Sequence, residues 1–401
     1  MQRARDGFKK NGDASVWGAM EESLAALAAA DLLRRPVVAD SAAGPRMTID
    51  GREVVCLCGN DYLSLAADPA IKAAAVAAIG RWGVGAGASR LISGTTRLHT
   101  ELEIQLAAFK GAQAAVVTST GWAANHVAVA AVARKGDLVL CDKLNHASII
   151  DACRACGAQM RTYPHRDTRR LAAMLDRLRS RHGRCLIVTD SLFSMDGDLA
   201  PLAELAVLKD RFEALLMIDE AHATGVLGEH GRGAAELLGV EGAIDLTVGT
   251  LSKALGAMGG FVAGPRVLID TIVNTARAFI YTTAIPPAIC AAAMEALRIV
   301  RDQPQRRRRL LDLAAGLRGR LSEAGLMKPS NEPVTPILPV IVGSAGDALR
   351  VSRAMLEAGF LVPAIRPPTV TPNSSRLRVS LCSGHDQRDL ERFADTLRAC
   401  F

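Results

Sequence analysis

Between residues 114 and 264 the chain repeats one pattern. A run of four to six aliphatic and β-branched residues is followed by a polar turn and then about ten residues with helical spacing. The strand-like runs are 114–118, 138–141, 159–163, 185–190, 215–219 and 246–249, with 260–263 as an antiparallel return. The helical patterns between them cover 122–133, 147–156, 169–180 and 202–210. Short β-rich runs alternating with helices of this length predict an α/β domain around a mostly parallel sheet. In such a sheet, ligands gather outside the carboxyl ends of the strands.

The flanks read differently. Helical periodicity runs from about 15 to 35, and 47–58 reads as two strands turning at Asp50-Gly51. Pro69 opens a helix that reaches Trp82, and 98–109 forms another. The glycine-rich Gly83–Ala88 stretch follows a helix rather than a strand, so a dinucleotide fingerprint is disfavoured and a loop lining a site or subunit contact is expected. Ile285-Pro286-Pro287 breaks the alternation, and a long amphipathic segment, 288–324, leads to strands near 337–342, 361–364 and 376–381. The expected division is an N-terminal helix and hairpin segment (1–60), a large α/β domain (61–287) and a small C-terminal α+β domain (288–401).

Composition narrows the function classes. With 49% hydrophobic and 22% charged residues, 401 residues suffice for a large core. No apolar run has transmembrane length and the first residues lack a secretory apolar core, so a cytoplasmic protein is expected. The net charge of +7 permits an anionic partner, but no basic stripe interleaves with aromatics, which argues against nucleic acid. The basic cluster Arg306–Arg309 reads as a solvated helix face. Nine scattered cysteines do not form a disulfide framework; Cys56-x-Cys58 and Cys153-x-x-Cys156 lack the second pair a metal site needs and read as core or incidental thiols.

Reactive residue types do sit at the strand ends. The run 246–248 leads into Gly249-Thr250-Leu251-Ser252-Lys253 and then Gly256, Gly259 and Gly260. Lysine is scarce in this arginine-rich chain, and a lysine can shed its proton and condense with an aldehyde, which arginine cannot. The strand 215–218 ends in Asp219-Glu220-Ala221-His222; the strand 138–141 is followed by His146; the strand 185–190 opens the polar loop 189–198. Ser119-Thr120-Gly121-Trp122 begins a helix, where free amides and the dipole suit a phosphate, although a plain helix cap explains it equally. An aldehyde cofactor on Lys253 would give Asp219 a role opposite a protonated pyridine nitrogen.

Taken in order, Gly59-Asn60-Asp61-Tyr62-Leu63, Ser119-Thr120-Gly121-Trp122-Ala123-Ala124-Asn125, Asn145-His146-Ala147-Ser148, Phe193–Asp198, Asp219-Glu220-Ala221-His222-Ala223-Thr224-Gly225, Gly231-Arg232-Gly233 and Thr250–Ala254 carry a resemblance. Over nearly its whole length the chain resembles the α-oxoamine synthase family of fold-type-I enzymes that use pyridoxal 5'-phosphate. Asp198-Leu199-Ala200-Pro201-Leu202, Ala364–Val370 and Arg34 are similar to the branch that condenses L-alanine with a pimeloyl thioester in biotin synthesis.

The resemblance implies roles. Lys253 carries the cofactor and moves protons, Asp219 pairs the ring nitrogen, His222 and Ser194 contact the ring hydroxyl, and His146 stacks on the ring. Gly121, Trp122, Thr250 and Ser252 hold the phosphate, joined by Thr282 and Thr283 from a neighbouring subunit, so a homodimer is implied. Asn60, Arg378 and Arg366 lie at the amino-acid substrate, and Arg34 and Thr369 near the acyl-CoA or acyl-carrier-protein substrate. Asp190-Ser191-Leu192 departs from the family's glutamate-glycine pattern, and Cys56-x-Cys58 stands where small polar residues are commoner. Members that use glycine or serine, and a non-catalytic partner subunit of the same fold, are the alternatives; the presence of Lys253, Asp219, His222 and His146 argues against the latter.

Overall fold

In the computed structural model, which describes residues 16–401, the alternation becomes a seven-stranded sheet. The chain enters through α1 (Val16–Ala29), the hairpin β1 (Arg46–Ile49) and β2 (Arg52–Cys56), and the helices α2 (Pro69–Trp82) and α3 (Arg97–Lys110). Next come β3 (Ala114–Thr118), α4 (Gly121–Val132), β4 (Leu138–Asp142), α5 (Ala147–Ala155), β5 (Gln159–Tyr163) and α6 (Thr168–Leu178). They are followed by β6 (Cys185–Asp190), α7 (Leu202–Arg211), β7 (Leu215–Asp219), α8 (Ala234–Leu237), β8 (Leu246–Thr250) and β9 (Gly260–Gly264). The order across the sheet is β3-β9-β8-β7-β6-β4-β5. β9 is antiparallel to both neighbours and the other pairings are parallel, as expected for a return strand.

Apart from the edge strand β5, the strands are buried on both faces, so alternate residues feed two cores. Leu138, Leu140, Leu216 and Ile218 pack on one side with α3, α6, α7 and residues of the C-terminal helices. Val139, Cys141, Met217 and Val248 pack on the other with α4 and α5. The carboxyl ends of β3, β4, β6, β7 and β8 therefore share one edge, held by rigid strands.

After the sheet come α9 (Arg266–Thr275), α10 (Arg277–Ile280), α11 (Pro287–Asp302), α12 (Pro304–Glu323), β10 (Ile337–Gly343), α13 (Ala345–Glu357), β11 (Phe360–Leu361), β12 (Ala364–Ile365), β13 (Ser375–Ser380) and α14 (Gln387–Arg398). The hairpin β1-β2 is completed by β11, in parallel with β2, and β10, β13 and β12 form a third sheet. The N-terminal hairpin thus pairs with a strand about 300 residues later, at Val55↔Phe360.

Several expectations need correction. The helix expected over 15–35 ends at Ala29, and Asp31 adopts a positive φ of 58°. The segment 288–324 is two helices, because Pro304 has no amide to continue α11 and instead starts α12. The run 361–364 is two short strands in separate sheets, divided at Val362-Pro363. Arg306–Arg309 is only partly a solvated face: Arg308 and Arg309 are exposed, but three of the four are tied to neighbouring segments. Arg307 is buried and bonds the carbonyls of Val300 and Glu229, Arg306 bonds Asp68 and the Leu63 carbonyl, and Arg309 bonds the carbonyls of Ser383 and His385. Three of the four arginines tie α12 to neighbouring segments through backbone oxygens. The reading of the extreme N-terminus as lacking a secretory core falls outside the described residues.

The loop carrying Ser194 is anchored by a charged cluster. His165 Nδ1 lies 3.0 Å from Asp142 and Nε2 lies 2.9 Å from Asp198, while its ring meets Phe193 edge-on at 4.4 Å. Arg166 spans Asp198 and Glu332. Burial alone would lower the His165 pKa, but its hydrogen bonds to both carboxylates, and their charges, outweigh it and raise it to about 9. A raised folded-state pKa contributes stability that is complete below the unfolded value near 6.5 and disappears as pH rises through 9. Chemical denaturation between pH 6 and 9.5 is expected to show this loss, on the order of 2–3 kcal/mol. In His165→Gln the pH dependence over that window flattens.

Candidate active site

Lys253 sits in a loop that leaves β8 and folds back on itself. The amide of Gly256 donates to the Lys253 carbonyl at 2.9 Å, and that of Leu251 to Gly259 at 3.0 Å. The hydroxyls of Thr250 and Ser252 both donate to the Gly259 carbonyl, at 2.8 and 3.2 Å. Gly260, which starts β9, presses against the phosphate-type turn: a Cβ there would lie 2.5 Å from the Thr120 carbonyl and 2.7 Å from Gly121. Only glycine permits this approach, which brings the lysine loop against the start of α4.

Around the lysine the strand ends supply a connected set of polar groups. The Lys253 Nζ lies 2.8 Å from His222 Nε2, and His222 Nδ1 lies 2.6 Å from the buried Tyr62 hydroxyl. Burial depresses the His222 pKa, reinforced by the positive charges of Lys253 and Arg378, so the ring is neutral. Lys253 is brought down to about 8, mainly by burial; Asp219 and Asp190 oppose that and Arg378 adds to it. The amine is therefore poised near neutrality, as a lysine that must exchange protons requires.

Asp219 ends β7 in register with Asp190 on β6 and Val248 on β8. Its carboxylate is only 4% exposed and accepts from Asn125 Nδ2 at 2.7 Å and the Ala221 amide at 2.8 Å. No cation forms an ion pair with it among the described residues, although Lys253 lies within its field. A buried carboxylate without a counter-cation costs several kcal/mol unless a ligand supplies one. The neighbouring Asp190 accepts from the His146 amide at 2.6 Å, and burial beside Asp219 raises its pKa well above the usual range. His146 does cap α5, through Ser148, but its ring also meets Trp122 edge-on at 6.1 Å.

The turn before α4 is open to an anion. Thr120 caps the helix by accepting from Ala123, while the amides of Gly121 and Trp122 have no acceptor within the described chain. Two free amides on the axis of a twelve-residue helix form an anion site. Together with a lysine whose pKa is brought down to about 8 and a buried carboxylate with no ion-pair partner among the described residues, this donor set fits a phosphorylated pyridine aldehyde.

Other predicted residues divide into three groups. Arg378 joins the lysine region: it donates to Asn60 Oδ1 at 3.1 Å, to the Tyr62 hydroxyl at 3.2 Å and to the Ser194 carbonyl. Arg366 shares no hydrogen-bond partner with Arg378 among the described residues. It bonds the carbonyls of Asp31 and Leu33, while Arg34 donates to the Pro367 carbonyl at 2.9 Å; Thr369 lies exposed on the same turn. Thr282 and Thr283 line a narrow cleft with Arg90, Thr118 and Ser119, and no hydrogen bond joins either to Lys253 or Asp219. A cavity of about 260 Å³ opens onto Lys253, Ser252, Asn60, Cys56 and Ser380. A larger one of about 780 Å³, beside Phe109, Arg232 and Arg307, shares no residue with it and lacks the lysine chemistry.

Sequence reasoning assigned no role to Tyr62, Asn125 or Asp190, each of which holds a predicted residue by a direct hydrogen bond. The only sequence signal was the position of Tyr62 and Asn125 within the matching motifs and of Asp190 at a strand end. Tyr62→Phe removes the partner of both His222 and Arg378. It is expected to lower kcat/KM about 5- to 10-fold and stability by about 1 kcal/mol, the weight of one buried hydrogen bond. Steady-state kinetics and urea denaturation check this.

A family profile described as "aminotransferase class I and II" matches residues 52–397. An 8-amino-7-oxononanoate synthase of Geotalea daltonii is 47% identical over 373 residues, covering 92% of this chain and 94% of the relative. Its namesake from Geobacter sulfurreducens is 51% identical over 352 residues, 87% of this chain and 89% of the relative. Among solved structures, serine palmitoyltransferase from S. paucimobilis with bound PLP superposes with a TM-score of 0.91 at 30% identity, covering 97% of this chain and 98% of that one. An 8-amino-7-oxononanoate synthase from Francisella tularensis superposes with a TM-score of 0.75 at 27% identity, covering 86% and 97%.

Proposed function

The chain belongs to the class I and II aminotransferase family, in its α-oxoamine synthase branch, and from that premise we propose that it condenses L-alanine with a pimeloyl thioester to give 8-amino-7-oxononanoate, carbon dioxide and free thiol. The carrying observation is Lys253, its pKa brought down to about 8 and its amine bonded to His222, beside a buried Asp219 that has no ion-pair partner among the described residues. The cofactor is pyridoxal 5'-phosphate. When bound it supplies an aldehyde for an amine and a protonated ring that draws electrons from an amino-acid α-carbon.

The chain's own residues do the rest. Asp219 sets a negative charge against the ring nitrogen, and Asn125 and the Ala221 amide keep that carboxylate oriented. The amides of Gly121 and Trp122 take the phosphate, with Thr250 and Ser252 beside it and Thr282 and Thr283 from a second copy. His146 would cover one face of the ring, and His222 and Ser194 would meet its hydroxyl. The Lys253 amine, held 2.8 Å from His222, removes the alanine α-proton and returns one later. Arg378, beside Asn60, meets the amino-acid carboxylate with a planar fork. Arg34, Arg366 and Thr369 form the acyl end.

The homodimer in this reading rests on exposed apolar surface. Trp17, Met20, Leu24 and Leu27 recur at helical spacing on α1, which has no buried residue, and Ile92 and Tyr281 are also exposed. A cytoplasmic setting fits nine free thiols, and no described helix is long and apolar enough to cross a membrane.

The fold overlay with serine palmitoyltransferase favours a second reading, serine with a long acyl chain. Sequence identity points the other way, 47–51% against 30%. Purified holoenzyme offered alanine, glycine or serine with pimeloyl-, acetyl- or palmitoyl-CoA separates them. The first reading expects fastest product formation from alanine and the pimeloyl thioester; a preference for serine with palmitoyl-CoA contradicts it.

A further inference from the structure

Cys56 ends β2 and Cys58 follows on the same face two residues later, with sulfurs 3.8 Å apart. Cys56 lines the cavity that holds Lys253 and Asn60, while Cys58 is half-buried beside it. We propose that this pair is a redox-modification site, a dithiol that a small-molecule disulfide converts to an intrachain disulfide and thereby slows the condensation.

The sulfur–sulfur contact, not the cavity, separates this pair from the other thiols: Cys382 lines the same cavity, but its thiol bonds Ser64. Cys141 and Cys153 are fully buried, and the Cys156 thiol points to a carbonyl of its own helix. The hydrogen bond with Cys58 lowers the Cys56 pKa to about 6 against the opposing effect of burial, while the same contact and burial push the Cys58 thiol up, so Cys56 is the attacking thiol of the pair. Its thiolate attacks one sulfur of the incoming disulfide and releases one thiol. Cys58 then gives up its proton, attacks Cys56 and releases the second. Two electrons and two protons pass from the cysteines to the two released thiols.

The consequence follows from what comes next in the chain. A disulfide needs its sulfurs about 2.05 Å apart, so closing the pair draws Cys58 towards the strand. Gly59 and Asn60 come directly after. Asn60 Oδ1 accepts from both Arg378 and the Tyr62 hydroxyl, Tyr62 holds His222, and His222 holds Lys253. A displacement of an ångström or more exceeds what these bonds tolerate.

The test oxidises full-length holoenzyme with oxidised glutathione, then alkylates, digests and maps disulfides, with hydrogen exchange followed over 58–64. The expected first product is a Cys56–Cys58 link. Exchange of the Tyr62 amide, which donates to the Asn60 carbonyl at 2.8 Å, should quicken at least about five-fold, one hydrogen bond's worth. The condensation rate should fall by a similar or larger factor and recover with dithiothreitol, and Cys58→Ser should resist the loss. Another pair oxidising first overturns the proposal, as does a Cys56–Cys58 link that leaves exchange unchanged. The inference of slowed turnover rests on the proposed reaction; if reduced enzyme makes no product, that reaction is wrong and mapping with exchange still decides the site.

Discussion

Replacing Lys253 with alanine is expected to reduce kcat for condensation by at least about 10⁴-fold, because one side chain supplies both the covalent anchor and the proton-moving group. Binding of the cofactor should survive, since the free amides at Gly121 and Trp122 and the carboxylate of Asp219 remain. The variant should thus stay yellow while borohydride no longer fixes the colour to the chain. Product assays and dialysis before and after reduction check the two halves separately. A kcat reduced by only ten-fold would mean that another group takes the proton.

The second large effect is expected at Asp219. Asp219→Asn keeps the volume but removes the charge set against the ring nitrogen. Truncating one partner of a buried charge pair costs roughly 3–5 kcal/mol, so kcat should fall by about 10²- to 10⁴-fold. The exchange of the alanine α-proton in deuterated water, followed by NMR, should fall in parallel, because that step draws on the same ring. Asp190 does not substitute: burial beside Asp219 raises its pKa, and its carboxyl oxygen is committed to the His146 amide. Loss of product formation with undiminished α-proton exchange would place the role of Asp219 after proton removal.

These expectations trace to features of different range. The strand ends at Asp190 and Asp219, and the lysine-bearing turn after Thr250, were legible because each follows a short apolar run whose length and flanks mark it as a buried strand. β3, β5, β6 and β7 have the boundaries their local pattern implies. The helices α9, α13 and α14 were passed over, lying outside the strand-helix repeat that guided the reading. Contacts across long separations left no local trace. Tyr62 meets His222 across 160 residues and Arg378 across 316, and no periodicity encodes either. The arginines of α12 illustrate the same limit. Four consecutive cations look solvated, yet Arg307 and Arg309 reach the carbonyls of Val300, Glu229, Ser383 and His385 through tertiary packing, while Arg308 stays exposed.

The central claim is that the cofactor is borne by one particular amine, facing one particular acid. Reducing the holoenzyme with borohydride, digesting it and sequencing the labelled peptide by mass spectrometry tests this most directly. The expected result is a phosphopyridoxyl group on Lys253 alone, absent when Asp219 and Lys253 are intact but the cofactor is withheld. A label on Lys110, Lys143 or any other lysine, or no label on a protein that forms 8-amino-7-oxononanoate, would contradict the account.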